Sequence, residues 1–542
     1  MMREIRSGEG VSVELDGAGL EAMSAEPLLT RDYETRPSLV YERLRQRHGA
    51  VAPVDLLGVP AWLVLGYRES LQVLQDDAGW PKGLENWRAR TEGRVPADWP
   101  LGPSLEVNHV LIQGGPGYRS LRTAWDQALK PFQDPRNPQT KRLKTAVTAY
   151  ADELITLMGE AGGTGLADLS AQFARPLPLM VASHLLGFPG SQGDDALMDM
   201  WRVLDAGPDA GPALDRLLGA LAELAELKLK TPGEDFPSYL LAAHPDLSLD
   251  QLARELFMLL GMTSDHVGIL ISNTVVEVLS GEDSVRASLS AGMVREAMNR
   301  VVMRKPPLVN FVPRFAAADT RLGNYTIRAG DPVWVSSAAA HADPLFAGNV
   351  GPGATVSTRA HLSWGAGPRQ CPARELASTV AAVGVGRLFE RFAHLDLALP
   401  VDQLPWRSSP FMRGLRSLPV RYELVPSQEQ PPPGAPPAGG GGRGGGPRGG
   451  GAPAGRSPPA PGVPPRLGGG AGAGPGPHTA GAPRRPPGGP PRPPGRGRRG
   501  GHGGDGDAGR VRPAALLAVA LSQGTDPLRP LTDAPRISRP PR

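Results

Sequence analysis

Cysteine is almost absent from this sequence: Cys371 is the single cysteine among 542 residues. One thiol cannot form an intramolecular disulfide, so the disulfide framework of small secreted proteins is excluded, and we expect a cytoplasmic protein. One thiol also cannot build an iron–sulfur cluster, which takes several cysteine ligands. A redox reaction that needs such a cluster would therefore depend on a separate protein.

The N-terminal residues lack a long apolar run. The opening MMREIRSGEGVSVELDG has neither the apolar core of a signal peptide nor the roughly 18 apolar residues that span a bilayer. We therefore expect no membrane anchor and interpret residues 1–29 as an N-terminal extension.

The C-terminal stretch from Gln428 onward lacks lysine and is poor in aromatic and β-branched residues. It carries 16 arginines and five acidic residues (net +11), whereas residues 1–427 carry 42 basic and 49 acidic residues (net −7). So little apolar surface cannot offset the entropy of ordering the chain, which predicts that residues 428–542 are disordered. An inert solvated tail, an RNA-binding Arg/Gly tract and translation of a GC-rich frame past its proper end are all open interpretations.

Helical periodicity dominates the chain between these two ends. The predicted helices cover 68–76, 118–131, 138–159, 170–186, 191–205, 211–229, 248–280 and 372–393. Strand patterns occur at 61–66, 322–335 and 411–425, with a turn at Ala329-Gly330. The sequence therefore predicts a mainly α fold with minor β, as one large domain over residues 30–427.

The segment 248–280 is the longest predicted helix. Ser248 is a suitable N-cap, and the residues from Phe257 to Met262 are apolar on every face. That pattern is typical of a helix that runs through a core. The polar sequence TSDH at 263–266 interrupts it.

The segment WGAGPRQCPARELA, residues 364–377, places a Gly-x-Gly loop before Cys371 and an amphipathic helix after it. Gly365 and Gly367 allow the backbone to approach a planar cofactor closely. Free N–H groups at the start of the following helix would favour a thiolate over a thiol. The plain alternative is a lone cysteine that serves as a small buried apolar side chain.

This segment resembles the haem-binding signature of the cytochrome P450 family, aromatic-Gly-x-Gly-x-basic-x-Cys. The matching positions are Trp364, Gly365, Gly367, Arg369 and Cys371, with Ala373 as the small residue two past the cysteine. The resemblance covers roughly residues 30–425. It implies the cytochrome P450 fold, haem b as cofactor and Cys371 as the thiolate ligand of the iron.

Three further positions resemble residues that contact the haem propionates in this family. In GPGYRSLR, residues 115–122, Tyr118 stands where the family has a histidine, and Arg122 is retained. Arg314 takes the place of another propionate-binding arginine. Together with Arg369 these arginines would converge on two carboxylates, as the bidentate guanidinium group favours. Alternatively, each is a surface arginine paired with a nearby acid.

One departure from the family lies just before Pro306-Pro307. The family has Glu-x-x-Arg at a position where this chain has Arg300 and Met303, so both members of the pair are replaced. Loss of both members leaves no unpaired buried charge, and a folded protein remains credible. Glu296 lies one turn before Arg300, a spacing that allows an ordinary helix salt bridge. The sequence is similar to a bacterial subgroup in which this motif is degenerate.

A second departure lies in the long helix, where the family has Ala-Gly-x-acid-Thr beside the oxygen site. The matching residues 262–266 read MTSDH, so Asp265 supplies the acid and His266 replaces the threonine. The resemblance implies that Asp265, with His266 or water, relays protons. An imidazole can also ligate iron. The alternatives are a structural Asp265 that caps a helix distortion and a His266 that only packs.

The resemblance implies a monooxygenase that inserts one oxygen atom from dioxygen into a small organic substrate, with electrons from a ferredoxin and its reductase. Two alternatives stay open. One is a haem-binding sensor or partner protein without hydroxylase activity, and the other is a peroxide-driven enzyme.

Overall fold

The computed structural model describes residues 19–160, 162–189, 192–205, 209–280, 294–347, 359–407 and 409–426. The predicted C-terminal tail and the first 18 residues lie outside this range. Within it, helices predominate and three small sheets flank them, as the sequence predicts.

The helices follow the predicted order along the chain. Their bounds are α1 Arg31–Thr35, α2 Pro37–His48, α3 Tyr67–Gln75, α4 Arg88–Thr91, α5 Gly102–Glu106, α6 Gly115–Gln133, α7 Pro138–Gly159, α8 Pro176–Leu186, α9 Gln192–Asp205, α10 Ala210–Lys230, α11 Phe236–Ala243, α12 Leu249–Ser280, α13 Val294–Arg304, α14 Ser337–His341 and α15 Arg374–Arg391. Short 3₁₀ turns lie at Leu20–Ala22, Leu84–Asn86, Gly367–Arg369 and Val401–Gln403, and a π-helical turn lies at Ser170–Ala174.

The strands form a five-stranded sheet in the order β1-β2-β3-β8-β5, a three-stranded sheet β4-β10-β9 and the hairpin β6-β7. Their bounds are β1 Glu26–Pro27, β2 Val51–Asp55, β3 Pro60–Val64, β4 Thr164–Asp168, β5 Arg314–Phe315, β6 Thr320–Leu322, β7 Tyr325–Ile327, β8 Pro332–Val335, β9 Phe392–Leu397 and β10 Pro419–Leu424. The segment predicted as one strand region, 322–335, thus contributes to two sheets. Its turn at Gly330 has a φ of 80°, which glycine adopts without strain.

The boundary predicted at residue 30 is wrong. β1 pairs in parallel with β2, and Leu20 and Leu28 are buried. Residues 19–29 therefore belong to the folded domain. The two buried leucines explain the difference, because an extension that buries apolar side chains gains free energy from folding.

Helix α12 runs through the core, as its apolar pattern predicts. It packs against α8, α10 and α15, and the Ser248 side chain accepts a hydrogen bond of 3.1 Å from the backbone N–H of Gln251. The helix is long and apolar enough to cross a membrane by composition, yet 78% of its most apolar window is buried within the protein. The helix continues through residues 263–266 without a break.

Some elements carried no clear signal in the sequence. Helices α2 and α11 were not predicted, whereas α13 contains the helical turn expected at Glu296 and Arg300. The helix predicted at 372–393 ends at Arg391, and the chain continues directly as strand β9. The strand predicted at 411–425 is confined to residues 419–424.

Candidate active site

A cavity of about 370 Å³ lies between α6, α12, the strands β5 and β8 and the loop that carries Cys371. Its walls are largely apolar. The apolar lining includes Val110, Leu111, Ile112, Met258, Leu259, Met262, Phe311, Phe411 and Met412. Polar and charged side chains reach it at two places, one near Arg314 and one on α12.

The loop before Cys371 has the conformation that its glycines permit. Gly365 and Gly367 have φ angles of 74° and 69°, in the left-handed region. A Cβ atom at Gly367 would lie 2.7 Å from the carbonyl oxygen of Leu74, so only glycine fits there. The Cys371 N–H donates a hydrogen bond of 2.8 Å to the Trp364 carbonyl, which closes the loop.

The Cys371 thiol lines the cavity and is partly buried. Burial raises the pKa of this thiol above its ordinary value, although the Ala373 N–H and the charges of Arg122 and Arg374 act in the opposite direction. The Ala373 N–H, at the start of the following helix, thus favours the thiolate but does not outweigh burial. Helix α15 begins three residues later, at Arg374, and desolvation is the larger effect.

Arg314 and Arg369 come together in the cavity wall around Asp77, an acid that the sequence did not single out, while the third predicted arginine, Arg122, pairs with Asp126. Arg314 donates 2.9 Å from Nη1 to Asp77, and Arg369 donates to both carboxylate oxygens of the same residue. Burial acts to raise the pKa of Asp77, but the bonds from Arg369 and Arg314 outweigh it and leave the pKa below its usual value. Burial lowers the pKa of Arg314 to about 10.

Tyr118 and Arg122, on α6, also line the cavity. The Arg369 guanidinium lies 3.6 Å from the centre of the Tyr118 ring, and the Tyr118 hydroxyl donates to the Pro368 carbonyl at 3.4 Å. Tyr118 therefore supports the Cys371 loop rather than standing apart from it. Arg122 forms an ion pair of 3.2 Å with the exposed Asp126.

The two α12 residues predicted to act in the site, Asp265 and His266, lie in different surroundings. The Asp265 carboxylate accepts a hydrogen bond of 2.7 Å from Arg407, and Asp265 is not among the residues that line the cavity. The His266 ring lines the cavity and contacts the Trp364 ring, with ring centres 5.1 Å apart. Neither ring nitrogen of His266 has a hydrogen-bond partner among the described residues. Burial lowers the pKa of His266 to about 4, so its imidazole is neutral near pH 7.

Comparison with known proteins decides the family. Residues 296–409 match the family model for cytochrome P450. The chain is 32% identical over 403 residues to cytochrome P450 107B1 of Saccharopolyspora erythraea, a match that covers 70% of this chain and 94% of the relative. It is also 29% identical to 6-deoxyerythronolide B hydroxylase of the same species, over 71% of this chain and 95% of the relative. The chain belongs to the cytochrome P450 family.

Solved structures support the same fold. CYP154C4 from Streptomyces sp. ATCC 11861 superimposes with a TM-score of 0.65 at 26% identity, over 73% of this chain and 98% of that structure. CYP154A1 from Streptomyces coelicolor A3(2) gives a TM-score of 0.62 at 28% identity, over 71% of this chain and 97% of that structure. This cytochrome P450 is therefore an oxidoreductase of the haem-thiolate monooxygenase family.

The residues around the cavity fit a haem. The cavity offers a thiol, apolar walls and four basic side chains, Lys82, Arg122, Arg314 and Arg369. The carboxylates paired with these cations are Asp77 and Asp126. If all four are charged, two positive charges remain, which matches the two propionates of a haem. Binding to a metal cation deprotonates a thiol, so the raised pKa of Cys371 is compatible with ligation.

Helix α13 connects the core of this cytochrome P450 to the segment before the Cys371 loop through an ion pair and two hydrogen bonds. Glu296 forms an ion pair with Arg359 at 2.5 Å. His341 bonds to the Met303 carbonyl at 3.0 Å and accepts 2.7 Å from the Leu362 N–H. These contacts join α13 to the segment that leads into the loop.

Sequence reasoning missed Asp77, Lys82, His109 and Glu255, each of which lines the cavity or is bound to residues in its wall. Glu255 on α12 is fully buried and accepts hydrogen bonds from the Val110 N–H at 3.1 Å and the Trp125 indole at 2.9 Å. Burial raises its pKa to about 7. A charged residue within the apolar pattern of a predicted core helix is the signal that could have identified Glu255.

Proposed function

We propose that this cytochrome P450 inserts one oxygen atom from dioxygen into a small, largely apolar organic substrate in the cytoplasm. The electrons come from a ferredoxin and its reductase. The observation that carries the proposal is the placement of Cys371 in the wall of an otherwise apolar cavity. A bound haem supplies the activation of dioxygen.

The side chains of the cavity then have distinct roles. Cys371 would ligate the iron of a bound haem, and Gly365 and Gly367 would allow the loop to lie close to it. Trp364 packs between the loop and α12, where it contacts His266. Tyr118, Arg122, Arg314 and Arg369 would surround the propionate end and give it a positive potential, with Tyr118 acting through Arg369.

On α12, His266 lines the cavity with an imidazole that can bind a ligand. Its neutral imidazole carries one N–H donor and one acceptor nitrogen, and both lack a partner among the described residues. It can therefore bind a water or a substrate group and pass a proton on. Asp265 positions this part of α12 through its ion pair with Arg407.

A protein that binds haem without hydroxylating is the second candidate. Two features favour it. His266 stands where the family has a threonine hydroxyl, and the Asp265 carboxylate is bound to Arg407. A peroxide-driven enzyme is the third. All three have the same thiolate ligand and differ in turnover.

The first experiment is the absorption spectrum of the purified protein, reduced and treated with carbon monoxide. We expect the thiolate-type band, and we expect Cys371→Ala to abolish it, since the sequence offers no other thiolate. An unchanged band in that variant contradicts the assignment. Product formation with a ferredoxin and reductase, compared with peroxide and with no electron source, then separates the three candidates.

A further inference from the structure

Lys82 is held beside Arg314 by the backbone. The segment that carries it runs along β5: the Phe315 N–H donates 2.9 Å to the Pro81 carbonyl, and the Arg314 guanidinium donates 3.1 Å to the Trp80 carbonyl. On its other side, a Cβ atom at Gly114 would lie 2.5 Å from the Lys82 carbonyl. The position of Lys82 is therefore fixed by the fold and does not depend on a flexible loop.

The Lys82 side chain is a buried cation with spare donors. The residue is 6% exposed and lines the cavity, and its ammonium makes one hydrogen bond, 3.3 Å to the Val312 carbonyl, among the described residues. An ammonium has three N–H donors, so two remain. Burial, followed by the charges of Arg314 and Arg369, lowers the pKa of Lys82 well below its usual value. Such a group is costly unless an anion compensates it.

The neighbouring arginines have less capacity left. Arg369 donates to both oxygens of Asp77 and, at 2.9 Å, to the Gln113 carbonyl. Arg314 donates to Asp77, to the Trp80 carbonyl and, at 3.3 Å, to the Leu74 carbonyl. These two guanidinium groups thus spend most of their N–H donors on the protein itself.

His109 supplies a second donor next to Lys82. It is 6% exposed and lines the same cavity, and its Nδ1 accepts a hydrogen bond of 3.3 Å from the Leu111 N–H. The proton of the neutral ring is then on Nε2, where it can be donated. Burial, followed by the charge of Lys82, lowers the pKa of His109 to about 4, so the ring is neutral near pH 7.

We propose that Lys82 and His109 form a carboxylate-binding site in the cavity wall, and that this site takes one haem propionate. Arg314, Arg369 and Asp77 then act as the rigid support beside it. The inference rests on the proposed haem-binding function. It differs from the sequence-based assignment, which placed the propionates on arginines and gave Lys82 no role.

The test is the rate at which the holoprotein loses haem to an excess of apomyoglobin. We expect Lys82→Met to lose haem at least about tenfold faster, the effect of one charge-assisted hydrogen bond. His109→Phe should show a smaller increase. Lys141→Met, which changes an exposed lysine on α7 in the same way, should lose haem at the wild-type rate.

Reconstitution with haem dimethyl ester identifies the group that Lys82 binds. The ester has no free carboxylates, so wild type and Lys82→Met should then lose it at equal rates. If Lys82→Met still loses the ester faster than wild type does, the effect is structural and the proposal fails. Dodecanoate titration covers the other source of a carboxylate: if the variant retains haem normally but loses dodecanoate binding, the site belongs to a substrate and the propionate assignment is overturned.

The methionine variant is designed to fold. It removes a poorly compensated buried charge and keeps a side chain of similar length, so the apoprotein should unfold at the same or a higher denaturant concentration than wild type. Faster haem loss from a protein of undiminished apo stability supports the proposal, and unchanged haem loss contradicts it. The carbon monoxide spectrum of each variant reports the Cys371 thiolate independently, so failure of the propionate site and failure of the proposed function give different results.

Discussion

The Asp77 cluster, formed by Asp77, Arg314 and Arg369 at one end of the cavity, differs from the cavity-lining face of α12 in how far its polar groups are hydrogen-bonded. At the charged end, Arg314 and Arg369 share the carboxylate of Asp77 and also donate to backbone carbonyls. On α12, the His266 ring is buried with neither nitrogen bonded within the described residues. A cluster whose donors are satisfied keeps its shape without a ligand. An unsatisfied group keeps its hydrogen-bonding capacity for a ligand or water.

The largest effect is expected at Asp77, whose carboxylate holds the two arginines of the cluster together. Asp77→Asn removes the charge that compensates two largely buried guanidinium groups, whose side chains are 3% and 8% exposed. Breaking a buried ion pair by removing one partner costs about 3–5 kcal/mol, and we expect a loss in this range in the free energy of unfolding. Urea denaturation measures it. Asp126→Asn, which removes the exposed partner of Arg122, should change stability by less than about 1 kcal/mol. Equal effects of the two variants on the free energy of unfolding would show that the Asp77 cluster does not stabilise the fold more than an exposed ion pair does.

Glu255, also on α12, combines features of both regions. It is hydrogen-bonded to the Val110 N–H and the Trp125 indole, but these neutral donors do not compensate its charge. Burial raises its pKa to about 7 from the ordinary 4.5. Between these pH values the folded state binds more protons than the unfolded state, so the free energy of unfolding falls as pH rises. The contribution of this residue is about 3 kcal/mol across that range.

We therefore expect wild type to lose stability from pH 5 to pH 8 relative to Glu255→Gln, in which this titration is absent. Denaturation midpoints at several pH values measure the difference. Glu226→Gln, which changes an exposed acid on α10, should follow the wild-type pH profile. A Glu255→Gln profile parallel to wild type would mean that the carboxylate is ionised throughout.

A substitution at His266 tests the face of α12 whose hydrogen-bonding groups are unsatisfied within the described part of the chain. His266→Thr restores the side chain typical of the family and removes the ring that contacts Trp364. Because that ring lies against Trp364, we expect the resting absorption spectrum to be unchanged and dioxygen-dependent turnover to be slower. The lost ring contact should cost about 1 kcal/mol of stability.

Each other outcome identifies a different role for His266. Loss of a nitrogen-ligated spectrum in His266→Thr would show that the ring binds iron. Unchanged spectrum and unchanged turnover would make His266 a packing residue. His266→Phe is the matched control, since it keeps an aromatic ring beside Trp364 without donor or acceptor.

Sequence patterns predicted the elements whose signals are local. The Ser248 cap, the core position of α12 and the glycine-dependent turn before Cys371 each depend on residues within a few positions of one another. Asp77 could not be predicted in this way. Its partners Arg314 and Arg369 are 237 and 292 residues away in the chain, and no spacing rule connects them.

The same limit applies to the surroundings of Cys371 and Asp265. A helix start and its N–H groups are visible in sequence, whereas the desolvation that raises the pKa of Cys371 depends on what packs around it. Likewise, Asp265 occupies the expected place on α12, but its partner Arg407 lies 142 residues later. Both features come from tertiary packing.

The smallest effect is expected from removal of the C-terminal residues 428–542. Their 16 arginines and few apolar side chains predict a segment that contributes no core, so truncation after Ser427 should change the free energy of unfolding by less than about 0.5 kcal/mol and leave haem content unchanged. Haem absorbance per mole of protein and urea denaturation of both chains measure this. Salt dependence provides a separate check: the full chain, with a net tail charge of +11, should bind polyanions such as RNA at low salt more tightly than the truncated chain does. Lower haem content or a broader unfolding transition after truncation would place part of the tail on the domain, and the domain would then extend beyond residue 427.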